Sequence, residues 1–246
     1  MEEHPGWALL TLADPERRNA LGREMAAEVA AAVWRLESSG DVRAIVLTGA
    51  PPAFCAGADL ASLEAADEEV LRALYAGFEA VARSRLLTLA AVNGAAVGAG
   101  MNMALACDVR LAAESARFDT RFLSLGLHPG GGHTWLLQRA VSYGRAVALL
   151  FGGGAVSGAE AARIGLAHRC VPDDELLEAA SGFVALAAAA PRELVTRVKA
   201  SLRANRDAAY EAALERELLD QLWSVGQPAF AARIAALRRS VSSKEP

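Results

Sequence analysis

The stretch AAVNGAAVGAGMNMALACDVRLAA, Ala90–Ala113, decides how this chain is read. A β-rich run ends at Val92, a glycine-broken turn follows, a short helix opens after Gly98, and another strand closes the stretch. Gly94, Gly98 and Gly100 fall within seven residues, so the backbone there must approach something closely. In the first turn of the helix, where catalysis would want a proton carrier, stands Asn102. An amide neither gains nor loses a proton near neutral pH.

Outward from this stretch, strand and helix patterns alternate. WALLTL, Trp7–Leu12, reads as a strand, and a helix follows with Met25, Val29, Val33 and Leu36 on one stripe. RAIVLTG is a buried strand ending at Gly49, and Ala50–Ala58 reads as a loop rich in Pro, Ala and Gly. ADEEVLRALYAGFEAVARSR is a helix with acids in its first turn and arginines in its last, matching the helix dipole. The next strand is LLTLAAVNG. Strands separated by helices predict βαβ units and a mainly parallel sheet. Beyond Ser157, which with Glu160 forms a capping box, AHRCVP is a last short strand stopped by Pro172. From Asp173 the pattern is helical to near Arg239, with breaks at Ala190–Pro191 and Gly226–Pro228. The expected organisation is a sheet-bearing core over 1–190 and a helical lobe over 191–246, whose last helices, apolar on one side, pack on a neighbouring subunit, with folding back on their own core as the alternative.

Composition removes several classes of function. The 246 residues are 53% hydrophobic and only 6% aromatic, which points to close Ala/Leu/Val packing. A net charge of −4 without a basic face argues against nucleic acid as a partner. Cys55, Cys107 and Cys170 form no CxxC pair, so neither a disulfide framework nor a metal site is expected. The apolar runs are too short to span a membrane, and MEEHPGW does not read as a signal peptide. A cytoplasmic setting is expected.

Two glycine-marked turns carry the chemical signal. FCAGADL, Phe54–Leu60, follows one strand, and NGAAVGAG, Asn93–Gly100, follows another and opens a helix. Each leaves backbone N–H groups at the carboxyl edge of a sheet, where α/β folds bind ligands. Two such donors on one carbonyl oxygen would form an oxyanion hole; on spacing alone, glycines that merely permit tight turns remain the alternative. A dinucleotide fingerprint fails because its third glycine position is Met103. No G-x-S-x-G elbow marks a serine hydrolase.

PERRNAL, AFCAGADL, AAVNGAAVGAGMNMALACDVRLAAESARF, LGLHPGGGHTWLLQRAVSYGRA and SGAEAARIGLAHRCVP occur in an order that resembles the enoyl-CoA hydratase/isomerase (crotonase) family over nearly the whole chain. The resemblance implies an α/β crotonase-like (ClpP/crotonase) spiral of ββα units with a helical C-terminal lobe, assembled as a homotrimer or homohexamer. It implies acyl-CoA thioesters as ligands, with coenzyme A entering as part of the substrate and no permanently bound cofactor. The oxyanion donors would be the N–H groups of Ala58 and Ala99. Coenzyme A would meet Ala56, Ala58, Asp59 and Leu60, with Arg18 near its phosphates and Phe230 and Arg233 on the last helix.

Three positions depart from the family pattern. Where the resemblance puts the two hydratase glutamates the chain has Asn102 and Phe122, and where isomerases carry an acid it has Gly130. His128 is the candidate substitute base, since histidine titrates near neutrality, and Asp119 is a weaker one. His133 flanks the same PGGG loop. The expectation is a protein that binds and polarises a thioester but hydrates it poorly; a non-catalytic acyl-CoA binder of the same fold is the alternative.

Overall fold

The structure, a computed structural model, describes residues 1–59, 67–208, 210–225, 227–230 and 232. Contacts divide the chain into two units, Met1–Ala188 and Ala189–Pro246. In the first, strand–turn–strand–helix units repeat. β1 (Glu2–His4) and β2 (Trp7–Leu12) form a hairpin that leads to α1 (Arg23–Ser39). Then come β3 (Ala44–Gly49), β4 (Ala53–Cys55) and α2 (Glu68–Arg83); β5 (Leu87–Val92), β6 (Ala95–Val97) and α3 (Ala99–Ala106); and β7 (Val109–Ala113) and β8 (Arg117–Asp119). After α4 (His133–Ala140) and α5 (Tyr143–Gly152), the unit closes with β9 (Val156–Ser157), α6 (Gly158–Ile164), β10 (Arg169–Val171) and α7 (Leu176–Ala188).

The first strand of each repeat joins a six-stranded sheet of order β1-β2-β3-β5-β7-β10, parallel from β2 onward. Its strands are continuous apolar runs, as a sheet covered on both faces requires: all six residues of Ala44–Gly49 are buried. In the next three repeats the second strand, β4, β6 or β8, turns away into a smaller sheet of order β4-β6-β8-β9. This second layer corrects the single-sheet reading. Ala53–Cys55, expected as loop, is a strand paired with Ala95–Val97. The run read as one strand through Gly94 breaks at Asn93–Gly94 and changes sheets. Strands of three residues carry no legible alternation, which is why sequence pattern missed them.

Helices α1 and α2 pack on each other. Ala26, Val29, Val33 and Leu36 of α1 are buried, as are Leu74, Gly77, Phe78 and Val81 of α2. Gly77 lets the axes close, because a Cβ there would lie 3.0 Å from the Ala26 Cα. The α2 N-terminus is capped by Asp67, which accepts from the Val70 N–H at 2.9 Å. In the second unit, α8 (Arg192–Asn205) and α9 (Tyr210–Val225) form a helical pair tied by Arg197 and Ser201, which donate to Asp220 at 2.8 and 2.9 Å. No helix of the described residues is long and apolar enough to cross a membrane.

One buried polar residue ties the loop before α1 to the second sheet. Asn19 donates to the carbonyls of Ala50 (2.7 Å) and Ala53 (2.8 Å), and its oxygen accepts from the Asp14 N–H (2.9 Å). Asn19→Ala would strand these groups away from water. A destabilisation of about 2–3 kcal/mol is expected in urea unfolding; a change below about 0.5 kcal/mol would show that the loop is held by other means.

Candidate functional site

The two glycine-marked turns meet at the carboxyl ends of β4 and β6. Gly57, between β4 and α2, has φ +114°, and Gly98, the residue before α3, has φ +50° with ψ −109°. Side chains rarely adopt either conformation. The turns also touch. A Cβ on Gly57 would lie 3.1 Å from the Val97 carbonyl oxygen, and one on Gly100 would overlap the Cys55 carbonyl and come within 2.8 Å of the Cys55 Cβ. The residues that follow Gly57 and Gly98 are therefore brought side by side. These are Ala58 and Ala99.

Local hydrogen bonding leaves both N–H groups available. Leu21 forms an isolated parallel bridge to Ala58, in which the Leu21 N–H donates to Gly57 O (2.7 Å) and the Asp59 N–H donates to Leu21 O (3.0 Å). The neighbours of Ala58 thus carry the bridge, and its own N–H faces the opposite side. Ala99 is the first residue of α3, and first-turn N–H groups have no partner within their helix. Among the described residues no backbone acceptor takes either N–H. Both residues line one cavity of about 540 Å³. Two donors beside a helix N-terminus can hydrogen-bond one carbonyl oxygen and stabilise negative charge that develops on it.

Ala56, Asp59, Asn102, His128 and Phe122 line the same cavity. Its apolar wall comes from Leu71, Leu74, Phe78 and Val97, with Leu125 and Leu127 opposite. Arg18 does not line it: its side chain is exposed, its φ is +52°, and its carbonyl accepts from the Ala56 N–H at 3.0 Å. The preceding Arg17, paired with Asp14 at 2.6 Å, does line it. Phe230 lies in the second unit, and Leu60 and Arg233 fall outside the described residues. Among the described residues no group of three or more His, Cys, Asp or Glu is placed to hold a metal ion.

Asn102 is fixed from two directions. Its Nδ2 donates to the Gly130 carbonyl at 3.0 Å, and its Oδ1 lies 2.6 Å from His133 Nδ1. A carbonyl only accepts, so the amide nitrogen must face Gly130 and the amide oxygen must face His133. His133 Nδ1 therefore carries the proton and donates it to Asn102, leaving Nε2 as a bare acceptor with no hydrogen-bond partner among the described residues. Asn102 and His133 are 2% and 1% exposed, and the Phe122 ring meets the imidazole edge-on at 4.8 Å. Burial holds the His133 pKa down at about 4, so the ring is neutral at pH 7.

The other ionisable candidates differ from this buried pair. His128 is exposed at the rim, its Nδ1 donating to Pro129 O at 2.8 Å. Asp119 accepts from the backbone N–H and the Nε of Arg121, each at 2.9 Å, and does not line the cavity, whereas Arg121 does. Arg121 has φ +58° in a three-residue turn closed by the Phe122 N–H on Thr120 O (2.7 Å). Burial pushes the Cys55 thiol, beneath the touching turns, up to about 11. Sequence reading did not single out Arg17, Arg121 or Tyr75 of the cavity wall. Tyr75 was visible only as the one hydroxyl on the Leu71–Leu74–Tyr75–Phe78 stripe of α2.

Comparison with known proteins places the fold. A family model described as enoyl-CoA hydratase/isomerase matches residues 2–225. The protein named "Probable enoyl-CoA hydratase EchA14" of Mycobacterium tuberculosis (strain ATCC 25618 / H37Rv) is 50% identical over 240 residues, covering 93% of each chain. The 4-chlorobenzoyl coenzyme A dehalogenase-2 of an Arthrobacter species is 33% identical over 97% of this chain and 89% of its own. The crystal structure of enoyl-CoA hydratase from Bacillus anthracis superposes with a TM-score of 0.91 at 27% identity, covering 96% of this chain and 94% of that one. A protein from Thermobifida fusca YX, crystallised in complex with acetoacetyl-CoA, does so with a TM-score of 0.83 at 30% identity over 91% and 92%. The chain belongs to the enoyl-CoA hydratase/isomerase family and has its crotonase fold.

The buried neutral imidazole has a measurable consequence. The His133 pKa is about 4 when folded, against an ordinary 6.5, so between these values the unfolded chain binds more protons and stability falls as pH falls. From pH 7 to pH 5 this one group should remove about 2 kcal/mol. The loss should be absent from His133→Phe, as read from the difference between wild-type and variant urea unfolding at the two pH values. An identical pH dependence in both proteins would contradict a neutral buried His133.

Proposed function

We propose that this protein binds acyl-CoA thioesters in the 540 Å³ cavity, with the thioester oxygen between the N–H groups of Ala58 and Ala99. The observation that carries the reading is the contact of Gly57 with Val97 and of Gly100 with Cys55, which sets the two free N–H groups beside each other. The thioester complex in a 30%-identical relative supports it. Ala56 and Asp59 at the cavity suit the coenzyme A portion, and Arg17 supplies a cation for its phosphates in the place expected of Arg18. Coenzyme A is part of the ligand in this reading, and no resident cofactor takes part.

The chemistry is that of a polarised thioester without the two-carboxylate water site. An oxyanion donor contributes about 10²–10³ in rate, and a positioned acid or base about 10²–10⁴. Asn102, held by Gly130 and His133, cannot exchange a proton, and Phe122 and Gly130 bring no acid. Asp59 is the one carboxylate among the described cavity residues, and His128 the one histidine. We therefore assign an enoyl-CoA hydratase/isomerase-type site in which hydration is slow and thioester binding is retained. The same lining favours the second reading, an acyl-CoA binder that does no chemistry. Exposed Val198, Leu202, Leu218, Leu219 and Leu222 on α8 and α9 suit burial between copies of the chain as a homotrimer or homohexamer, and the reading includes a cytoplasmic location.

Calorimetry with butyryl-CoA and its thioether counterpart S-butyl-CoA tests the central claim. Butyryl-CoA should bind at least about 10-fold more tightly, because the thioether has no oxygen for Ala58 and Ala99. Equal affinities would remove the oxyanion hole, and no binding of butyryl-CoA at 1 mM would overturn the acyl-CoA reading altogether. Crotonyl-CoA hydration, measured in parallel, separates the slow enzyme from the pure binder.

A further inference from the structure

The two histidines of the PGGG loop differ in what their free nitrogen can reach. His133 Nε2 is buried outside the cavity, whereas His128 lines the cavity with its ring exposed. A carbonyl only accepts, so the bond between His128 Nδ1 and Pro129 O (2.8 Å) puts the ring proton on Nδ1. Nε2 then keeps its lone pair, and no described residue hydrogen-bonds to it. An imidazole held in this tautomer is a proton acceptor ready for use.

The position of His128 is set from both sides. The Leu127 N–H donates to Phe122 O at 3.0 Å, after Gly126 at φ +65° has turned the chain. Three residues on, Gly130 O accepts from the His133 N–H at 3.2 Å and from Asn102 Nδ2 at 3.0 Å. Only His128 and Pro129 lie between these anchors, and proline fixes its own φ. Asn102 stands about one turn beyond Ala99 on α3, so the second anchor ties the loop to the helix that begins with Ala99.

The other ionisable groups of the lining are Arg17, Asp59, Tyr75 and Arg121. The guanidiniums hold their protons and are paired with Asp14 and Asp119, neither of which lines the cavity. Asp59 is the rival base. It belongs to the turn after β4, where its N–H donates to Leu21 O, while His128 comes from the loop that carries Leu125 and Leu127.

We propose that His128 is the catalytic base of this site, and that the reaction it serves is a double-bond shift rather than the addition of water. The proposal rests on the acyl-CoA reading above and supplies the chemistry which that reading leaves open. His128 Nε2 takes a proton from C2 of the thioester. The C–H electron pair forms a C1–C2 double bond, and the carbonyl pair moves to the oxygen held by Ala58 and Ala99. In a thioester with a C3–C4 double bond the charge extends to C4. The His128 imidazolium returns the proton there, a C2–C3 double bond forms and the carbonyl is restored. One base suffices, no water enters, and nothing is oxidised or reduced. Hydration needs a second group to hold and orient the water. Asn102 has its oxygen taken by His133 Nδ1 at 2.6 Å, and Phe122 has none to offer.

The probe is 3-butenoyl-CoA, with crotonyl-CoA formation followed on the full chain at pH 7. Wild type should form crotonyl-CoA at least about 10-fold faster than it hydrates it. His128→Gln, which stays polar but carries no base, should lower kcat by about 10²-fold or more, with butyryl-CoA affinity by calorimetry within about 3-fold of wild type. Added imidazole should raise the rate of His128→Ala about 10-fold, since the ring it replaces is exposed at the rim. A histidine that only shapes the loop would give no such rescue, and its absence in folded His128→Ala would overturn the proposal. Undiminished isomerisation by folded His128→Gln would do so too, as would a loss confined to Asp59→Asn. Wild type that binds butyryl-CoA but leaves 3-butenoyl-CoA unchanged would remove the base and leave the acyl-CoA reading standing. Failure to bind butyryl-CoA would overturn both.

Discussion

Everything in the site depends on two backbones coming closer than side chains allow. Gly100 lies on the Cys55 peptide and Gly57 on the Val97 carbonyl, and these contacts join the turn after β4 to the turn after β6. Each turn leaves one N–H without a protein partner, Ala58 because its neighbours carry the bridge to Leu21, and Ala99 because it begins a helix. Both residues are only part-buried where they line the cavity. Gly100 through Ala106 of α3 are all buried, which holds the helix and its first turn in place. In the reading proposed above, this apolar core presents the two donors to a thioester oxygen without reorganisation when it arrives.

Apart from Asp59, its one carboxylate among the described residues, the charged and amide groups of the cavity are donors. Asn102 is locked as a donor, Arg17 and Arg121 are donors only, and Phe122 offers nothing. Buried acceptor capacity is turned away from the cavity: Asn102 Oδ1 is taken by His133, and His133 Nε2, which does not line the cavity, is neutral and unpartnered. Asn102 and Phe122 themselves can move no proton. The site differs in this from a pair of carboxylates that share a water, whichever way turnover measurements fall.

How much of this was legible in the sequence follows from how local each signal is. The six-stranded sheet announced itself in runs such as AIVLTG and LTLAAV, and α1 in the spacing of Val29, Val33 and Leu36. The turns around Ala58 and Ala99 showed in their glycines, because a positive φ or a close approach leaves few other residues possible. The second sheet did not show, since Ala53–Cys55 and Ala95–Val97 are too short for any period. Arg18 was displaced from the site by its own backbone: left-handed conformations at Arg18 and Asn19 reverse the chain, so Arg17 faces the cavity. The Asn102–His133 bond spans 31 residues and depends on Gly131 and Gly132, both at positive φ, to bring α4 back over α3. No local pattern encodes that pairing. Tyr75 was hidden for the opposite reason, because a tyrosine on an apolar stripe reads as core.

Cys55 gives the crossing a further property. Its sulfur lies beneath both turns with the proton held on, and with a pKa near 11 only about one molecule in ten thousand carries a thiolate at pH 7. Unsaturated thioesters are Michael acceptors, and thiolates are the side chains that add to them. Cys55 is fully buried and does not line the cavity, so lack of access bars such an addition as well. Burial keeps the thiol protonated and out of reach, so this close junction of the fold is also chemically quiet.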